Sequence, residues 1–240
     1  MSFPKSLVIL LVPVLLLADG TAGLFAQDKP AAIDRSAEKA QLAAVLASEQ
    51  PYADKLAACK QLALIGDKDS VPALAALLTD EKLSHAARIG LEAIPDRAAD
   101  EALRDALTRV RGAMLVGVIH SVGARRDREA VSELKPFLTD SGLQVAAAAA
   151  DALGKLATTD AATCLRETLA TAPSELRPAV GRAALACADR LRRQENCSEA
   201  KATLEALRKT ELPLGLIAAA TRGLMLCRPE EAAGLLAGEI

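Results

Sequence analysis

Leu78-Thr79-Asp80-Glu81-Lys82-Leu83 is echoed sixty residues later by Leu138-Thr139-Asp140-Ser141-Gly142-Leu143, and a third unit of similar form lies between them. The underlying two-helix unit recurs about every 30 residues, the period range of stacked repeat proteins. Each such unit buries its apolar face only against its neighbours, so the period predicts a stack rather than a compact globule.

The flanking sequence fits this reading. Pro51 opens a helix that runs to about Ile65, with Leu56, Cys59, Leu62 and Leu64 apolar. Gly66-Asp67-Lys68-Asp69 supplies a turn, and the partner helix starts near Ser70 with Pro72 in its first turn, where a missing N–H costs little. A second unit pairs Leu83–Ile94 with Ala98–Val110, and a third pairs Ala113–Val122 with the helix carrying Val131, Leu134, Phe137 and Leu138. The fourth pairs Leu143–Leu156, apolar throughout Ala146–Ala150, with Ala161–Ala170. The turns fall at Gly66, Pro95, Gly123 and Ala157, spacings of 29, 28 and 34 residues. A fifth, longer unit joins Ser174–Arg193 to Ser198–Lys209, and its shape is closer to a tetratricopeptide hairpin. A sixth opens at Leu212–Cys227 and continues from Pro229 to near Ile240. Its end is apolar (Leu235, Leu236, Ala237, Ile240) where a capping repeat should be polar, which points to a fragment or to an end that docks on something.

The expected fold is therefore all-α: an α-solenoid, or superhelix, of about six stacked antiparallel helical hairpins. Residues 51–172 form the regular repeats, 173–240 the divergent ones, and 27–50 a lead-in with one helix over Ser36–Ser48. Composition agrees. Apolar residues make up 51 % and aromatics 2 %, so alanine and leucine, both good helix formers, fill the core.

Residues 1–26 read as a secretory signal peptide. Lys5 is followed by an apolar run from Leu7 to Ala18, 12 residues including Pro13, against the roughly 20 a spanning helix needs. Cleavage follows Ala22 or Ala26; Ala26 is preferred because polar Gln27-Asp28-Lys29-Pro30 then begins the mature chain. The mature protein is expected to be periplasmic or secreted, with no stable membrane span. Net charge is −2, and the densest basic cluster, Arg125-Arg126-Asp127-Arg128, followed by Arg190, Arg192 and Arg193, is read as solvated, so no nucleic acid is expected as a partner. Cys59, Cys164, Cys187, Cys197 and Cys227 form no C-x-x-C pair, and with two histidines no zinc-finger spacing exists. Cys187 and Cys197 flank the turn of the fifth hairpin and are a possible disulfide in an oxidising compartment.

Gly66-Asp67-Lys68-Asp69-Ser70-Val71-Pro72-Ala73-Leu74-Ala75-Ala76-Leu77-Leu78-Thr79-Asp80 resembles HEAT repeats of the short bilin-lyase-like class, and Arg88 in Ala86–Ile94 stands at that class's usual arginine position. With the signal peptide, the chain resembles exported bacterial HEAT-repeat proteins. The resemblance implies a non-catalytic scaffold with a protein partner and no cofactor. Its alternatives are a fragment or assembly module of a larger exported enzyme and, last, a bilin-lyase-like enzyme, whose cytoplasmic chemistry fits export poorly. Relatives that hold a di-iron centre use repeated His-Glu pairs; here only His85 and His120 exist, neither followed by Glu. His85 is expected to be exposed or capping, His120 packed in its apolar helix. No catalytic or metal residue is assigned. In HEAT arrays the second helices usually line the concave face, which makes Arg104, Asp105, Arg109, Glu129, Glu133, Lys135, Arg166 and Glu167 the candidate partner-binding surface.

Overall fold

The computed structural model describes residues 34–227, and every structural statement concerns these. The signal peptide and the last expected helix, from Pro229, lie outside them. The described elements are helical: α1 Ser36–Ala47, α2 Tyr52–Ile65, α3 Val71–Ala76, α4 Ser84–Ala93, α5 Arg97–Arg109, α6 Gly112–Arg125, α7 Val131–Leu134, α8 Leu143–Leu156, α9 Thr159–Thr171, α10 Arg177–Arg193, α11 Cys197–Arg208 and α12 Leu214–Cys227.

The helices alternate between two layers. In one, α2, α4, α6, α8, α10 and α12 each pack on the next; in the other, α1 packs on α3, α3 on α5, and α9 on α11. The stack continues through residue 172 without a break, since α10 packs on both α8 and α9, so the divergent hairpin is one more step of the same array. Between the layers lies a leucine and alanine core that includes Leu62, Leu74, Leu91, Leu103, Leu134, Leu153 and Leu165, all with no exposed surface.

The repeated Leu-Thr-Asp motif now has a cause. Leu78 and Leu138 are buried, while the aspartate two residues on ties the loop to the next hairpin. Asp80 Oδ1 accepts from the Lys82 and Leu83 amides at 2.8 Å, and Asp140 Oδ1 accepts from the Gly142 amide at 2.7 Å. Asp67 and Asp127, again sixty residues apart, cap the turns that open the second helices by accepting from the Asp69 and Glu129 amides at 3.1 Å.

Two expectations are corrected. The second helices of the first and third hairpins are short: α3 has six residues and α7 four, each flanked by 3₁₀ turns. Pro136 explains α7, because it has no N–H to return to the Ser132 carbonyl. Gly123 is not in the turn. It is a buried residue inside α6, and the turn is made instead by Arg126, which is left-handed at φ 57°. Only glycine adopts that conformation without cost. Arg126→Gly is therefore expected to raise stability by about 0.5–1 kcal/mol, read as a higher urea midpoint.

Candidate interaction surface

Most ion pairs among the described residues join one hairpin to the next. Arg125 is the central example. Its side chain is 9 % exposed and pairs with Asp100 of α5, Nε to Oδ1 at 2.5 Å. Its remaining donors reach four backbone carbonyls where α4 ends: Leu91 at 2.8 Å, Glu92 at 3.3 Å, Ile94 at 2.5 Å and Asp96 at 2.9 Å. Carbonyls at a helix end have no partner within their helix, and a cation there also meets the negative end of the dipole. Arg88, at the position the resemblance singled out, does similar work from α4: it donates to the Gly117 carbonyl at 3.0 Å and to Ser121 Oγ at 3.2 Å. Burial lowers its pKa despite nearby Glu92. Ser121 Oγ in turn donates to Glu92 at 2.6 Å.

Five of the eight candidate partner-binding residues belong to the same kind of ladder. Arg104 pairs with Asp127 and reaches Glu129 Oε2 at 3.4 Å. Burial opposes its charge, but the bond to Asp127 and the charges of Asp127, Glu129 and Glu133 outweigh it and raise its pKa. Glu129 also accepts two bonds from Arg97, at 2.7 and 2.9 Å. Lys135 donates to Glu167 at 3.3 Å, and that bond raises the lysine's pKa. Arg166 pairs with Glu199 and donates to Thr203 Oγ1 at 3.1 Å. The Arg97–Glu129, Lys135–Glu167 and Arg166–Glu199 partners stand 32 or 33 residues apart, close to one repeat. Asp105, Arg109 and Glu133 stay outside the ladder: all three are exposed, and none makes an ion pair among the described residues. Glu133 still accepts from Ser132 Oγ at 2.6 Å and adds its charge to those around Arg104, which leaves Asp105 and Arg109 unspent.

The expected Cys187–Cys197 bridge is absent; all five cysteines are free. Cys187 sits six residues before the end of α10, buried between helices, while Cys197 is the exposed first residue of α11. At 1.5 Å rise per residue that offset separates them by about 9 Å along the helix axis. Cys197 instead lies beside Cys227, whose pKa is raised by burial and then by that neighbour. Burial pushes Cys59 up to about 11 and Cys187 up to about 12. At pH 8 their thiolate fractions are then roughly one part in a thousand or less. Native-state labelling with a disulfide reagent is expected to modify Cys197 first and to leave Cys59 and Cys187 intact until the chain is unfolded.

His120 departs from its expected place. It is 47 % exposed, with Nδ1 3.6 Å from Asp151 Oδ2, because the buried face of α6 is taken by Val118, Ile119 and Val122. His85 is exposed as expected and lies 3.0 Å from an Arg88 nitrogen. Around His120 an open trough of about 620 Å³ crosses α6, α8 and α10. Val116, Ala147, Ala148, Ala179, Ala183 and Ala186 line its apolar part, and His120, Gln144, Asp151 and Arg182 its polar part. Sequence pattern missed this surface; its signal was the alanine run of α8, read only as a buried helix. Among the described residues no group of three or more His, Cys, Asp or Glu is placed to hold a metal ion. No described helix is long and apolar enough to cross a membrane.

These hairpins and their repeat-to-repeat clamps define an α-solenoid. Residues 112–186, from α6 into α10, match the family model described as HEAT repeats. No curated protein matches the chain. Among solved structures, the complex of CpcE and CpcF of phycocyanin lyase from Nostoc sp. PCC7120 is similar at 23 % identity over 84 % of this chain and 80 % of that one, with a TM-score of 0.41. An engineered protein is similar at 19 % identity over 80 % of this chain and 97 % of its own, with a TM-score of 0.47. A second engineered protein shows 19 % identity over 80 % of this chain and 58 % of its own, with a TM-score of 0.46.

Proposed function

We propose that the chain is a non-catalytic scaffold, exported by its N-terminal 26 residues, that binds a protein partner along its helical stack. The trough across α6, α8 and α10 carries this reading. It offers an alanine-lined strip with a polar edge of His120, Gln144, Asp151 and Arg182, the arrangement of an apolar centre and polar rim found at protein interfaces. The exposed Asp105, Arg109 and Glu133 of the other layer form the second candidate surface.

Crosslinking capture from an envelope extract tests the reading. One dominant protein is expected. Ala147→Arg, which puts a long cation into the trough, is expected to abolish its capture. The pair Asp105→Lys and Arg109→Glu reports on the other layer without removing a member of the ladder, so loss of capture there moves the interface to that face. Absence of any specific protein overturns the scaffold reading. Export is tested separately by intact mass: the native protein should lack residues 1–26, and a mass that includes Met1 to Ala18 overturns it.

A further inference from the structure

α12 meets α10 near its start, where Leu212 and Leu216 lie so close over Gly181 that a Cβ added there would stand 3.0–3.3 Å from them. It touches α10 over a shorter length than α8 does. Past that contact the two helices enclose a cleft of about 420 Å³, floored in part by Leu204 of α11 and walled by Leu185 and Leu226. Leu226 is 57 % exposed, so one wall is an uncovered apolar side chain.

The charge of this cleft is unlike that of the chain. Four arginines line it, Arg182, Arg192, Arg193 and Arg222, against the single acid Asp189, whereas the whole chain carries −2. Asp189 is taken up by Arg192 at 2.9 Å and Arg193 at 2.8 Å, and those arginines hold its carboxyl below its ordinary pKa. Arg182 and Arg222 are exposed and make no ion pair among the described residues. Two guanidinium groups with no counter-charge among the described residues, beside an apolar floor, fit a ligand with an acid group and an apolar body.

Size selects the class. The stretch from Arg182 to Arg193 forms one wall of the cleft. The same stretch is about 16 Å long, which matches an extended chain of about twelve carbons. We infer that the cleft between α10 and α12 binds a single-chain amphiphilic anion, its carboxylate or phosphate on Arg182 or Arg222 and its hydrocarbon over Leu204 and Leu226. The cleft adjoins the trough and shares Arg182 and Ala186 with it, but the ligand it takes does not depend on the scaffold reading.

Calorimetric titration with dodecanoate and dodecyl phosphate, below their micellar concentrations, tests it on the mature chain. Saturable one-to-one binding is expected for at least one of them, and comparing the two separates a fatty-acid source from a phosphate one. Dodecanol should bind at least tenfold more weakly and dodecyltrimethylammonium not at all. The double variant Arg182→Gln and Arg222→Gln, which breaks no ion pair among the described residues, should lose tenfold or more, and Ala219→Phe, which fills the cleft, should abolish binding. Equal binding of dodecanol, unchanged affinity in the double variant, or no saturable binding overturns the inference. So does binding that emerges only when the chain is cut after Cys227, which would show that its own last residues hold the cleft.

Discussion

Arg125→Ala is expected to lower the stability of the fold by about 3–5 kcal/mol, the range for removing one partner of a buried, hydrogen-bonded ion pair. Against a total of about 5–15 kcal/mol for a natural domain, that is enough to leave the protein partly unfolded at 37 °C. The loss has two sources. Asp100, whose side chain is 19 % exposed, keeps its charge without its partner. The carbonyls of Leu91, Glu92, Ile94 and Asp96 lose their donor in a place where water has little access. Arg125→Lys separates the two: an ammonium restores charge opposite Asp100 but lacks the planar fork that reaches several acceptors, so it should recover only part of the loss. Arg126→Ala, one residue on and exposed, should change stability by no more than about 0.5 kcal/mol. Urea melts followed by circular dichroism at 222 nm measure all three. An Arg125→Ala midpoint equal to that of the wild type would refute the clamp.

Arg125 also marks where the sequence stops being legible. Arg125-Arg126-Asp127-Arg128 reads as one solvated basic cluster, yet the Arg125 side chain is only 9 % exposed and Asp127 caps a turn while pairing with Arg104. Helical periodicity shows which residues share a face. It does not show whether that face meets water or the next repeat. The same gap explains the candidate surface: Arg104, Glu129, Lys135, Arg166 and Glu167 lie on the second helices or their flanking turns, as expected, but repeat-to-repeat pairing has taken up their charges. The apolar stripes, by contrast, located most helices to within a few residues, because burial of leucine and alanine dominates the energy and repeats with a fixed period. The cleft between α10 and α12 left no periodic trace, since it arises from how far two similar helices diverge.

Close helix approach is the other property that a composition rich in alanine makes possible, and it leads to the second large effect. Gly154 of α8 faces the backbone of α10: a Cβ there would stand 2.7 Å from the Ala183 carbonyl oxygen and 3.1 Å from its Cα. Gly123 of α6 meets α8 in the same way, 2.9 Å from Ala152 Cα. Each contact is with backbone, so no side chain can turn aside and a whole helix must move. In an open helix position, glycine to alanine stabilises by about 1 kcal/mol through propensity. Here overpacking of about 1–3 kcal/mol opposes it, and displacement of a helix puts the cost at the upper end. Gly154→Ala should therefore destabilise by about 1–2 kcal/mol and Gly154→Val, whose branched side chain adds to the clash, by more than 3 kcal/mol. Gly215→Ala in α12, where a Cβ meets nothing within 4 Å, should stabilise by about 0.5–1 kcal/mol. The opposite signs of two identical substitutions are the test. If Gly154→Ala stabilised the protein as Gly215→Ala does, α8 and α10 would not be in backbone contact, and the tight half of the stack that sets α10 against the diverging α12 would be misplaced.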